Sequence, residues 1–147
     1  MTGISIGGAT AHAWRFATDL MKDLRRSRRL TSEIEGLAPD EAARVLGEIG
    51  LGVAEFGNVM SLPFASEDLL SEAMISVGID PDEFYVRNAG WARDLQRTCA
   101  RCQVRARCRQ IMSRGEFARR NKDFCPNSGD LAQILSAARP GSVAAQR

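Results

Sequence analysis

Four cysteines constrain this chain more than any other feature. They are Cys99, Cys102, Cys108 and Cys125, spaced C-x2-C-x5-C-x16-C with Pro126 directly after the last; the 147-residue chain has no others, and all four fall in its final third. A C-x2-C step lets two thiolates reach one metal from a single turn. Cys108 can join them only if the chain bends after Cys102, and Cys125 must return through a loop. Cages that take several ligands from one segment and close with a distant one follow this plan. The competing reading is a pair of disulfides or four buried free thiols. The N-terminal MTGISIGGATAHAW has no basic start followed by an unbroken apolar stretch, so no secretory signal is read. The expectation is a cytoplasmic protein, where thiols serve metals or redox chemistry more often than structural disulfides.

The spacing bears on which metal. Zinc modules commonly use two C-x2-C knuckles, whereas this chain has one knuckle and two single cysteines. Iron–sulfur sites accept a 2+1+1 division, and a proline often follows their last cysteine. Charge does not discriminate, because zinc and an oxidised four-iron cluster each leave four thiolates with two net negative charges. Either would be welcomed by Arg97, Arg101, Arg105, Arg107 and Arg109 nearby. The expected cofactor is an iron–sulfur cluster, four-iron by preference, with zinc as the alternative.

Around the cysteines the hydrophobic period is helical. Residues 10–30 place Trp14, Ala17, Leu20, Met21 and Leu24 on one face and end in the basic run Lys22, Arg25, Arg26, Arg28 and Arg29. Pro39 opens a second helix with Asp40 and Glu41 in its first turn, Val45, Leu46 and Ile49 as its apolar face, and Gly50 and Gly52 as its stop. A short apolar segment (Val53, Phe56, Val59, Met60) follows, and Pro63 breaks the chain. Ser66 reads as the cap of a helix carrying Leu69, Leu70, Ala73, Met74 and Val77, ended by Gly78. Asp80-Pro81 begins a further helical turn, and Asn88 can cap a helix through Trp91, Leu95 and Cys99. Residues 103–113 carry Val104, Cys108, Ile111 and Met112. Asn127 or Ser128 caps the last helix, with Leu131, Ile134 and Leu135. No strand and no repeat is read. The expected fold is all-α, a small bundle of five to seven short helices with a four-cysteine metal site in the C-terminal third. Residues 1–36 form an N-terminal helix with a basic end, 37–138 the helical domain with the cysteine site, and 139–147 a flexible tail.

Charge is segregated. From Glu33 to Glu83 the chain has twelve acids and one base; from Arg87 to Lys122 it has eleven bases and two acids. Either the two stretches attract each other in the fold, or the basic segment 93–122 faces an anionic partner such as nucleic acid. Residues 39–60 have the outline of a helix-turn-helix, but the second helix offers Glu55 and Asn58 and no base, so it does not read DNA. His12 is the lone histidine and has no catalytic partner in view. GGAT at 7–10 lacks the strand that a phosphate loop follows. No stretch of about 18 or more apolar residues exists to span a membrane.

Two resemblances arise. The stretch CARCQVRARCRQIM resembles the C-x2-C-P-V-R-x-x-C segment of the WhiB-like proteins, small helical regulators that hold a four-iron cluster and contact a sigma factor. Their fourth cysteine lies upstream, whereas Cys125 lies downstream, and their tryptophan-glycine turn is missing here. More broadly, RDLQRTCARC at 93–102, the RC at 107–108 and DFCPNSGDL at 123–131 resemble a small alphaproteobacterial family of unknown function. That family carries RDLQRVCxxC, a third cysteine and a YCPNAxTL ending. PDEAARVLGEIGL fits its usual upstream stretch, and the likeness covers about residues 37–135. The resemblance implies Cys99, Cys102, Cys108 and Cys125 as ligands and lends no activity. The expected function is that of a non-enzymatic, metal-binding regulator or adaptor with a protein partner. The alternatives are a structural zinc module, a small electron carrier or oxidoreductase subunit, and a nucleic-acid-binding regulator.

Overall fold

The computed structural model describes residues 6–65 and 67–138. These form nine α-helices, one 3-10 turn and no strand. The helices are α1 (Ile6–Glu35), α2 (Pro39–Glu48), α3 (Val53–Met60), α4 (Leu69–Ser76), α5 (Pro81–Arg87), α6 (Ala89–Ala100), α7 (Arg105–Ser113), α8 (Phe117–Arg120) and α9 (Ser128–Ala138), with the 3-10 turn at Asn121–Asp123. The all-α expectation holds, and the expected five to seven helices is too low a count. The segment left unassigned at 53–60 is helical, and the four residues of α8 are too few to show a period. Among the described residues no helix is long and apolar enough to cross a membrane. The tail at 139–147, Ser66 and the side chain of His12 lie outside the described residues.

Local chemistry sets most boundaries. α1 runs past the expected end at 30 because no glycine or proline follows until Gly36 and an Arg29–Glu33 pair of 3.0 Å supports its last turns; it also starts earlier than expected, at Ile6. Asp68 caps α4, its carboxylate accepting the Ser71 N–H at 3.0 Å and the Ser71 hydroxyl at 2.7 Å. Asp80 caps α5 by accepting from the Asp82 and Glu83 N–H groups, with Pro81 at the first helical position. Asn88 stands before α6, but its amide donates backwards to the Phe84 carbonyl instead of capping.

The core has two parts. The larger lies between α4, α6, α7, α8 and α9, with Met74, Leu95, Phe117 and Leu131 almost fully buried. The smaller gathers Leu46, Leu51, Phe56 and Val59, closed by Ile34 of α1 and Ala100 of α6. α1 packs on α3, but with only part of the expected face, since Leu20 and Leu24 are half-buried while Ala17 is exposed. Trp14 and Met21 are 76% and 53% exposed. The inward stripe runs through Phe16, Leu20, Asp23, Ser27, Thr31 and Ile34, which are buried or half-buried. Both stripes have helical spacing. The Phe16 ring meets the buried Phe64 ring edge-on at 5.4 Å, and this contact faces the second stripe inward.

Two glycines test the fold directly. Gly50 ends α2 with φ at +73°, and a Cβ there would stand 2.8 Å from Nη2 of Arg97, whose Nε donates to the Gly50 carbonyl at 3.0 Å. Gly57 lies inside α3 with open space where a Cβ would go. Gly50→Ala should therefore cost about 1–2 kcal/mol, while Gly57→Ala should stabilise by about 0.5–1 kcal/mol. Urea unfolding midpoints that moved in the same direction for both variants would contradict these backbone assignments.

Candidate metal centre

The four cysteines come from three stretches of chain and line one recess. Cys99 lies on the last turn of α6. Cys102 follows one turn later, its N–H bonded to the Cys99 carbonyl at 3.2 Å. The chain then bends through Gln103 and Val104, and α7 brings Cys108 back to the same place. This is the bend that the x5 spacing demanded. Cys125 sits between the 3-10 turn and α9, its N–H donating to the Asn121 carbonyl at 2.8 Å. Two longer bonds fix that loop. The buried Asn127 amide donates to the Leu95 carbonyl of α6 at 3.1 Å, and the Trp91 indole N–H donates to Asp130 of α9 at 2.8 Å.

The rest of the recess is Leu69, Leu70, Ala73 and Leu131 on the apolar side, Phe124, Pro126 and Asn127 near Cys125, and Arg105. It is narrow, with about 20 Å³ for water-sized occupants, where one water needs about 10–15 Å³ in the same measure. All four cysteines are free thiols, so the paired-disulfide reading does not describe this state. Among the described residues, no three His, Cys, Asp or Glu side chains are gathered into a group that could hold a metal ion as they stand. The fold thus brings the four expected residues to one recess without closing them into a cage.

Electrostatics describe a set of mutually sensed thiols. Burial pushes Cys99 up to about 11, with Arg105 opposing and Cys102 and Cys125 adding to the rise. Burial pushes Cys108 up to about 12, with the three other cysteines each adding. Cys125 is also raised by burial, but the backbone N–H groups of Asn127 and Ser128 at the start of α9 pull the other way. Left to themselves Cys99 and Cys108 stay protonated at neutral pH, and a ligand that needs thiolates must release those protons.

The sequence reading did not separate the five arginines near the cysteines, and the fold gives each a different task. Arg97 holds the Gly50 carbonyl. Arg101 pairs with Glu55 at 2.6 Å and Arg109 with Glu67 at 2.8 Å. Arg107 lies over the Phe124 ring at 5.2 Å. Only Arg105 both lines the recess and is buried, at 4% exposure. Its position three residues before Cys108 was the available signal, since residues at that spacing share a helix face. The pairs Arg101–Glu55 and Arg109–Glu67 join the basic segment to the acidic one, as self-attraction of the two stretches requires. The Gly52 N–H holds the Glu55 carboxyl below its usual range, with Arg101 and Arg97 adding to this. Burial raises Glu67 despite its arginine.

The recess can therefore offer up to four sulfurs and one guanidinium to an occupant. Compared with family models, curated proteins and solved structures, the chain matches none.

Proposed function

We propose that this protein is a non-enzymatic cofactor-binding regulator or adaptor that holds an iron–sulfur cluster through Cys99, Cys102, Cys108 and Cys125. The observation that carries the reading is the convergence of all four cysteines, from α6, α7 and the loop before α9, on one recess. The 2+1+1 spacing, the proline after the last cysteine and the likeness to the WhiB-like cysteine segment support a cluster over a single ion. Because the four cysteines already line one recess, closing a cage asks for rearrangement within that recess and not for joining distant chain. A bound cluster would supply negative charge and redox-active iron. The chain's part is to cross-link α6, α7 and the start of α9, so that gaining or losing the cofactor alters the stability and surface of this half of the molecule. A partner protein would read that change.

The narrowness of the recess favours a second reading, a single zinc ion with a purely structural role. Anaerobic purification followed by a visible spectrum and analysis for iron, sulfide and zinc decides the matter. Brown protein with iron and sulfide is the expected result, and colourless protein with stoichiometric zinc selects the second reading. A protein that binds neither metal, even after reconstitution, overturns both.

A further inference from the structure

We infer that Arg105 is the built-in counter-charge of the cysteine site, a positioning residue that makes the recess select an anionic, thiolate-ligated cofactor and biases that cofactor toward its reduced form. The inference rests on the reading of the recess as a cofactor site and deepens it.

Arg105 is 96% buried, the complement of its 4% exposure. Its Nη1 donates to the Cys99 carbonyl at 2.8 Å and lies 3.7 Å from the Cys99 sulfur. Its Nη2 donates to the carbonyls of Phe64 at 2.6 Å and Glu67 at 2.9 Å. Its Nε is buried and has no hydrogen-bond partner. Among the described residues the ion pairs involve Arg29, Arg87, Arg97, Arg101, Arg109 and Arg120, and none involves Arg105. A guanidinium stays protonated in proteins, so this is a buried full charge whose hydrogen bonds run to neutral carbonyls and the Cys99 thiol. Buried charges are costly unless paired with an opposite charge. The cysteine recess contains four groups that become anionic when they ligate a metal and no carboxylate, while in the neighbouring hollow that Arg105 also lines Glu67 is paired with Arg109 and Asp68 caps α4. Four thiolates around zinc or an oxidised four-iron cluster leave the net negative charge that would pair with Arg105.

The sign of the redox consequence follows. With a cluster bound, one-electron reduction would make the site more negative by one charge, which the fixed Arg105 cation would favour. The test compares wild type with Arg105→Met, which removes the charge, and Arg105→Lys, which keeps it without the planar fork. Full-length proteins are purified anaerobically, assayed for iron and sulfide, and titrated with dithionite as the one-electron donor. Arg105→Met should lower the equilibrium constant for reduction at least tenfold, which is about 59 mV for one electron. Arg105→Lys should stay within about threefold of wild type. A loaded methionine variant with an unchanged potential overturns the inference. If the methionine variant does not load, the lysine variant decides: loading supports the counter-charge, and no loading overturns it, since the charge is still there. If wild type carries zinc, chelator competition replaces the potential: tenfold or greater loss of affinity in the methionine variant alone supports the inference, and equal affinity overturns it. A wild type that holds no metal fails at the first assay, which marks failure of the site reading itself.

Discussion

Replacing Cys125 by Ser should reduce the metal content of the purified protein to background and lower its stability by about 4 kcal/mol or more. In the proposed site Cys125 would be the ligand supplied from the loop that leads into α9, while the other three cysteines come from α6 and α7 and the bend between them. Without it a four-thiolate cage cannot close. A ligand held at a thousand times its dissociation constant stabilises the folded state by about 4 kcal/mol, all of which is lost with it. In the cofactor-free chain the same substitution should cost no more than about 2 kcal/mol, within the ordinary range for a single replacement, because the backbone bonds of Cys125 to Asn121 and Ser128 do not involve its side chain. Cys102→Ser should give the same pair of results. Metal analysis with denaturant unfolding, each before and after chelation, makes the check. Unchanged metal stoichiometry in both variants would remove the cage as an explanation for the cysteines.

How far the sequence carried varies by element, for reasons that are local or tertiary. Pro39 and Gly50 bracket α2, and Pro81 opens α5, because their backbone restrictions act wherever they occur. The cysteine recess was legible from spacing, since x2 and x5 steps permit few arrangements once a helix ends at Ala100. The inward face of α1 was not legible. Its two candidate stripes have the same period, and the choice depends on Phe64, far along the chain. Nor could composition tell Arg105 from Arg101 or Arg109, since all three are arginines in one basic run. Their difference lies in Glu55, Glu67 and the 64–67 carbonyls, which meet them only in the folded state. Pro63 announced a break at this loop, and nothing in the sequence announced that the next residue would become the most buried ring in the molecule.

Phe64→Ala should destabilise the protein by about 3–5 kcal/mol, the usual cost of deleting a buried phenyl ring. Phe64 is 0% exposed, although it lies in the turn between α3 and α4. It also has φ at +58°, the left-handed region, and is the one non-glycine among the described residues found there. Holding an L-residue in that conformation costs about 1–2 kcal/mol, which the fold offsets through the ring's contact with Phe16 and the carbonyl's bond to Arg105. Alanine keeps the strained conformation and loses the ring, whereas glycine loses the ring and the strain together. Phe64→Gly should accordingly be as stable as Phe64→Ala or more so, reversing the usual preference for alanine of about 0.5–1 kcal/mol. Urea unfolding of the three cofactor-free proteins, followed by far-UV circular dichroism, compares them without interference from the metal. A glycine variant clearly weaker than the alanine variant would mean that the turn does not hold position 64 in the left-handed region. The loop would then meet Arg105 and α1 in some other way, and the anchoring of the guanidinium beside the cysteines would have to be redrawn.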